Sequence, residues 1–253
     1  MTSLVQRTAH GFVHVLQMAR PPVNALNPAL CVDLSTAIEQ AIADGARGLV
    51  LAGGPKVFSA GLDVPYLLSL GGDRAALTNA WTQFFDCARA LAQAPVPVVA
   101  AIGGHAPAGG CVLGLCCDYR VMASGPYRIG LNETRVGLAA PEGIQHLLRR
   151  VVGAHRAARL LITGELVDAE QALAIGLVDE LTDIDMVSTR ARVWLDDLLT
   201  LPPQPMLQTR AISNADLIDA LQPGRIQLDR FIDAWFSADT QAGLQALVAS
   251  LGK

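Results

Sequence analysis

Three short segments of the 253-residue chain combine residue types able to do chemistry. The first runs from Ile102 to Cys111 and holds the glycine pairs Gly103-Gly104 and Gly109-Gly110 between the apolar runs Val96 to Ala101 and Val112 to Cys116. Glycines between a strand and a helix start let a ligand approach backbone N–H groups. Such N–H groups, unpaired at a helix start, can hold an oxygen that becomes negative during a reaction. A glycine pair alone reads more simply as a tight turn. The second segment, Lys56 to Asp63, is another glycine-containing turn at the end of a strand. The third, Tyr127 to Gly137, places the lone carboxylate of Glu133 in a mostly apolar stretch, where the commoner fate of a Glu is the surface or a helix cap.

The surrounding pattern supplies elements to position these segments. Leu4 to Arg7 and Phe12 to Leu16 flank a turn at His10-Gly11 and predict a hairpin. Asn27-Pro28 opens an amphipathic helix to Ala43, and Gly48 to Ala52 is a short buried strand. Asp73 caps a helix to about Gln93, and Pro95 and Pro97 open the next strand. Asp118 to Met122 and Tyr127 to Ile129 are strand-like. After Pro141 the chain is mostly helical. Asp168 caps a short helix ending at Gly176, and further helices fall at about 184–200, 205–220 and 225–250. Short strands alternating with helices, followed by a helical tail, predict an α/β fold. The proline-rich stretch Leu201 to Pro205 is the candidate boundary. It divides a core, residues 1–200, from a helical region, 201–253, whose Phe231, Trp235 and Phe236 would bury against the core or a neighbouring copy.

Composition removes several classes of function. A net charge of −4 without a basic cluster argues against nucleic-acid binding. No apolar run reaches the roughly 18–20 residues of a membrane span. The start of the chain has no apolar signal core, and Leu251-Gly252-Lys253 is not a peroxisomal address, so a cytoplasmic location is expected. Cys111, Cys116 and Cys117 lack metal-ligand spacing and read as buried thiols, and no metal site is expected. There is no dinucleotide fingerprint, Walker loop, nucleophile elbow or zinc-protease motif. His105, beside the first glycine pair, suits a structural role better than a catalytic one.

In this order and spacing the three segments resemble the crotonase, or enoyl-CoA hydratase/isomerase, superfamily. Arg20 to Leu26, Ala169 to Asp179 and Phe231 to Asp239 look like the same family, so the resemblance spans essentially the whole chain. It implies a crotonase-like spiral of ββα units with a C-terminal helical region that supports homotrimers or hexamers. It also implies an acyl-CoA thioester substrate, with coenzyme A entering as part of the substrate and no separate cofactor. An enolate on the thioester oxygen would be held by the backbone N–H groups at Leu62 and Gly109. The implied substrate contacts are Val23, Ala25, Ser59, Ala60, Asp63, Gly110 and Pro141. Lys56 would meet a phosphate, or is simply solvated.

The resemblance also bears on the reaction. Family hydratases carry two glutamates; here the first position is Val112 and the second is Glu133. One carboxylate over an enolate suits moving a proton between C2 and C4, whereas adding water needs a group that activates the water. Pro107 to Cys111, Cys117 to Arg120 and Ile129 to Thr134 look most like the mitochondrial-type Δ3,Δ2-enoyl-CoA isomerase branch. The expected activity is therefore conversion of 3-enoyl-CoA to 2-trans-enoyl-CoA. Glu142 departs from that branch's pattern. It is either a helix-start carboxylate or a second acid, which would make the protein a 2-enoyl-CoA hydratase. An acyl-CoA-binding homologue without catalysis is the reading from another class.

Overall fold

The computed structural model describes residues 3–251; the C-terminal Gly252-Lys253 of the tripeptide considered above lies outside the described residues. The chain opens on the hairpin of β1 (Val5–His10) and β2 (Val13–Met18), paired antiparallel, and continues into α1 (Pro28–Ala43). Then follow β3 (Gly48–Ala52), β4 (Lys56–Val57), α2 (Val64–Ser69) and α3 (Arg74–Ala92). The next turn contains β5 (Val98–Ile102), β6 (Gly104–Pro107) and α4 (Gly109–Leu115). After it come β7 (Tyr119–Ala123), β8 (Arg128–Gly130), a 3-10 turn (Glu133–Val136), α5 (Glu142–Val152) and α6 (Ala154–Thr163). β9 (Val167–Asp168), α7 (Ala169–Ala174), β10 (Glu180–Thr182) and α8 (Val187–Leu198) close the strand-bearing part. The tail is α9 (Pro203–Ser213), α10 (Ala215–Ala220), α11 (Pro223–Ile226), α12 (Leu228–Trp235) and α13 (Ala238–Leu251).

Side-chain caps fix several helix starts, each satisfying an N–H that the first turn leaves unpaired. Asn27 accepts from Leu30 at 3.0 Å, Asp73 from Ala76 at 2.9 Å and Asp168 from Gln171 at 2.8 Å. The strands form two sheets, β1-β2-β3-β5-β7-β10 and β4-β6-β8-β9. In the larger sheet every pairing except β1 with β2 is parallel. The chain therefore lays one strand in the large sheet, crosses to the small one and returns through helix, three times over: the expected α/β spiral of ββα units. Parallel strands buried on both faces read as continuous apolar runs. Leu49 and Leu51 face the main core, while Val50 and Ala52 pack with Val99, Ala101 and Val121 beneath Ala191 and Leu195 of α8.

Three local expectations are corrected. The strand expected at the apolar run Val96 to Ala101 is β5, and between it and the next helix the chain inserts β6, with the helix beginning at Gly109, ahead of the apolar run Val112 to Cys116. Gly104 makes the sheet change possible, because a Cβ there would lie 1.9 Å from the Lys56 carbonyl carbon across the β4–β6 pair. The helix expected at 205–220 breaks at Asn214, whose side chain donates to Asp118 at 2.9 Å and accepts from Arg150 at 3.0 Å. The helix expected at 225–250 is divided at Gln227, in the left-handed region at φ 49°, and again at Ser237, which accepts from the Thr240 N–H.

Phe231 and Trp235 of α12 are buried against α3 of the same chain, with the Trp81 and Phe231 ring centroids 4.6 Å apart; Phe236 is half-exposed. These two rings share the main core with residues 5–178. A chain ending at Thr200 would therefore leave Trp81 and its neighbours open to water. Its indole emission should shift to the red and its thermal transition should lose cooperativity; an unshifted spectrum with a sharp transition would show that residues 1–200 fold alone.

Candidate active site

The first feature of the site is a pair of free backbone donors. Leu26 and Leu62 form a parallel bridge in which Leu26 N–H donates to Gly61 O at 2.7 Å and Asp63 N–H donates to Leu26 O at 3.0 Å. Both bonds run through Leu26, so the N–H of Leu62 points to the opposite side, where it has no acceptor among the described residues. Across from it α4 begins. Its first intrahelical bond runs from Val112 N–H to Ala108 O at 3.0 Å, which leaves the N–H of Gly109 unpaired. Ala108 is held at φ 47°, an uncommon value for a residue with a Cβ, while its own N–H donates to Gly130 O at 2.8 Å. A Cβ on Gly109 would lie 2.8 Å from a Leu62 methyl carbon, so the two donor residues face one another in close packing.

The second feature is Glu133, first residue of the 3-10 turn. Three neighbours hold that turn. Thr134 donates to Leu161 O at 2.7 Å, Arg135 donates to Gly164 O at 2.7 Å, and Thr240 of α13 donates to Gly137 O at 2.6 Å. Glu133 is half-buried as a residue, but its Oε2 is enclosed by protein and accepts no hydrogen bond. Burial raises its pKa from 4.5 to about 7, against a small opposing effect of its own N–H. Val112, from the first turn of α4, is buried beside it in the same cavity wall.

These groups line one cavity of about 510 Å³, a size typical of small-molecule sites. It brings together Leu62, Gly109 and Glu133 with Val23, Ala25, Ala60, Asp63 and Pro141. Four anticipated residues stand outside its wall, each for a visible reason. Lys56 is exposed on β4 at φ 72°. Ser59 is fully buried, donating to Asn24 O at 2.8 Å and accepting from Gly61 N–H at 3.2 Å, and so braces the loop before Leu62. Gly110 lies where a Cβ would come 2.5 Å from Ser59 O, so it is needed for packing. Glu142 turns outward and is gripped by Arg225, Nε to Oε2 at 2.5 Å and Nη2 to Oε1 at 2.9 Å. The hydrogen bond from Arg225 lowers its pKa, and it behaves as a surface carboxylate. His105 is also outside, with Nδ1 accepting from Arg128 N–H at 3.1 Å. Among the described residues no three His, Cys, Asp or Glu side chains are grouped to hold a metal ion.

Sequence reading missed part of the wall. Arg20 donates to Asp63 at 2.6 Å and to Ala25 O at 2.7 Å, tying the loop before Leu26 to the residue after Leu62. Asp63 is thereby neutralised, and it also caps α2 by accepting from Tyr66 N–H at 3.0 Å. Asn132 adds an enclosed Oδ1 without a partner, and Trp81 an enclosed Nε1 without one. Trp81, Phe84 and Phe85 of α3 meet Phe231 and Trp235 of α12 in an aromatic wall. Their spacing, i, i+3, i+4 and i, i+4, is the signal of any core-facing helix, and so could not announce a cavity.

The chain matches the family model described as enoyl-CoA hydratase/isomerase over residues 8–250. It is similar to the mitochondrial enoyl-CoA delta isomerase 1 of Mus musculus, with 34% identity over 221 residues, 86% of this chain and 76% of that protein. It is also similar to a probable enoyl-CoA hydratase of Mycobacterium avium (strain 104), with 34% identity over 198 residues, 78% of this chain and 76% of that protein. Among solved structures, human mitochondrial delta3-delta2-enoyl-CoA isomerase superposes with a TM-score of 0.92 at 30% identity, covering 98% of both chains.

The state of Glu133 is measurable through stability. With a folded pKa of about 7 against 4.5 unfolded, the unfolded chain releases this proton first as pH rises. The stability associated with the protonated group is full below pH 4.5 and is lost as pH climbs through 7, by roughly 3 kcal/mol in all. In Glu133→Gln that loss disappears. The melting temperature of the variant relative to the parent should therefore rise between pH 5 and pH 8; a constant difference across this range would mean that Glu133 titrates normally.

Proposed function

The chain belongs to the enoyl-CoA hydratase/isomerase family, and from that premise we propose that it isomerises 3-enoyl-CoA to 2-trans-enoyl-CoA with Glu133 as its single acid–base group. The thioester oxygen sits between the N–H groups of Leu62 and Gly109. The Glu133 carboxylate takes a proton from C2, and the C–H electron pair moves into an enolate whose negative oxygen the two donors stabilise. Collapse of the enolate forms the C2–C3 double bond while the C3–C4 π pair takes the proton back from Glu133 at C4. Nothing else is consumed. The same apolar enclosure that lifts the Glu133 pKa makes the carboxylate a stronger base once it is ionised.

The observation that carries this reading is the inventory of carboxylates at the cavity. Asp63 is bonded to Arg20, Glu142 is gripped outside by Arg225, and Val112 stands where a second acid would be needed. Glu133 alone is both in the wall and unpaired among the described residues. Water addition, the second reading, lacks a group to activate water. A binder without catalysis would carry the cost of an enclosed carboxylate with no return.

The direct test is a paired assay. Given 3-enoyl-CoA the protein should form the 2-trans product, with kcat/KM rising with pH through about 7 and then levelling, because only the ionised carboxylate accepts the proton. Given crotonyl-CoA it should form the 3-hydroxy thioester far more slowly. Glu133→Gln should lower isomerisation by about 10² to 10⁴. Efficient hydration abolished by Glu142→Gln would make the second reading correct.

A separate pair of variants isolates the donor at Gly109. Proline is tolerated at the first position of a helix but has no N–H. Gly109→Ala adds the same Cβ, which displaces Leu62 and Leu26 methyl groups, yet keeps the N–H. Gly109→Pro should fall below Gly109→Ala by a further 10² to 10³ in kcat, about the cost of losing one oxyanion donor. Equal activity of the two would remove the backbone N–H from the mechanism.

A further inference from the structure

The chain holds six phenylalanines and three tryptophans, and five of these nine residues line the cavity: Trp81, Phe84, Phe85, Phe231 and Trp235. The concentration matters because, apart from Phe58 and a few Met and Cys residues, the rest of the core is built from Leu, Val, Ile and Ala, side chains fully adequate to line a slot for an alkyl chain. The rings also have an ordered arrangement. Trp81 meets Phe231 edge-to-face at 4.6 Å and 77°, Trp235 at 6.1 Å and 71°, and Phe84 at 6.1 Å and 83°, while Phe85 stacks on it at 5.9 Å and 27°. A wall of alternating ring edges and faces favours another ring, which can continue the pattern, over an alkyl group of equal area.

The position of this wall relative to the reacting atoms follows from one contact. The Phe84 ring lies 3.3 Å from where a Cβ on Gly109 would stand, so the wall begins beside the second oxyanion donor. Trp81 is three residues earlier on α3, about 4.5 Å along the helix axis. An extended acyl chain advances about 1.3 Å per carbon–carbon bond, because the bonds zigzag, and so covers that distance in roughly three to four bonds. For an acyl chain seated with C3 beside Phe84, the atom that meets Trp81 and Phe231 is near C6.

We infer that the preferred substrates are 3-enoyl-CoA thioesters whose acyl chain carries an aryl ring at about C6, with Trp81 and Phe231 as the residues that select the ring. This deepens the isomerase reading and rests on it for the identity of the reacting end.

The test compares 6-phenylhex-3-enoyl-CoA with 6-cyclohexylhex-3-enoyl-CoA and dodec-3-enoyl-CoA, all of equal carbon number. The first comparator matches the ring in shape without its π-system, and the second is the linear chain. The parent protein should favour the phenyl substrate in kcat/KM by about fivefold or more over both, chiefly through KM. Trp81→Leu should bring the three values together, and Phe231→Leu serves the same purpose if the first variant does not fold. A cyclohexyl or dodecenoyl substrate turned over as well as the phenyl one would overturn the inference, as would a phenyl preference that survives in both variants. Calorimetric binding of the saturated 6-phenylhexanoyl and 6-cyclohexylhexanoyl thioesters reads the wall without any turnover. If no 3-enoyl-CoA is isomerised but the phenyl thioester still binds tighter, the isomerase reading fails and the aryl preference stands; equal binding overturns the preference whatever the reaction.

Discussion

The two hydrogen bonds that Leu26 exchanges with the chain around Leu62 are the constraint on which the site depends. A parallel bridge uses both backbone groups of one residue and neither of its partner's, so pairing at Leu26 is what leaves the Leu62 N–H to face the cavity. Most of the surrounding contacts preserve that register. Arg20 joins Ala25 to Asp63 across the bridge, Asn24 donates to Phe58 O at 3.1 Å, and Ser59 ties the turn to Asn24. Shifting the pairing by one residue would rotate the donor away and turn a carbonyl oxygen toward the same space, where it would repel a developing oxyanion.

Glu133 presents the opposite problem, a group that would rather be in water. An enclosed carboxylate oxygen without a partner is unfavourable, and it stays in place because its turn is anchored by two regions far apart in sequence, the C-terminal end of α6 at Leu161 and Gly164, and Thr240 of α13. The anchors bond to backbone carbonyls or come from residues other than Glu133, so they fix the carboxylate's position without satisfying it. The carboxylate is held, with its Oε2 left without a hydrogen bond.

Local signals carried much of the architecture. Asn27, Asp73 and Asp168 announced the helix starts they cap, and the unbroken apolar runs at 48–52 and 98–102 announced strands covered on both faces. Within the site, Leu62, Gly109 and Glu133 were singled out by the family resemblance, since a glycine turn and a lone Glu each have a commoner structural reading when taken alone. What stayed hidden depends on distant partners. The outward turn of Glu142 is decided by Arg225, 83 residues later, and the break at Asn214 by Asp118, 96 residues earlier. The aromatic wall was visible as apolar periodicity but not as a cavity, since packing and lining produce one pattern. Lys56 stands exposed on β4, outside the wall of the cavity.

In the proposed reaction both enolate donors belong to the main chain, which has a consequence for how such a protein can change over generations. No side chain is required to build the oxyanion site, so substitutions at 62 reshape the space around the enolate without removing it. The two positions on which the proposed reaction turns, 112 and 133, lie in the first turn of α4 and at the start of the 3-10 turn, on successive turns of the spiral. Neither takes part in the hydrogen bonds that set the register at Leu26. On the proposed reading, a change of acid–base group at either position leaves the two main-chain donors in place.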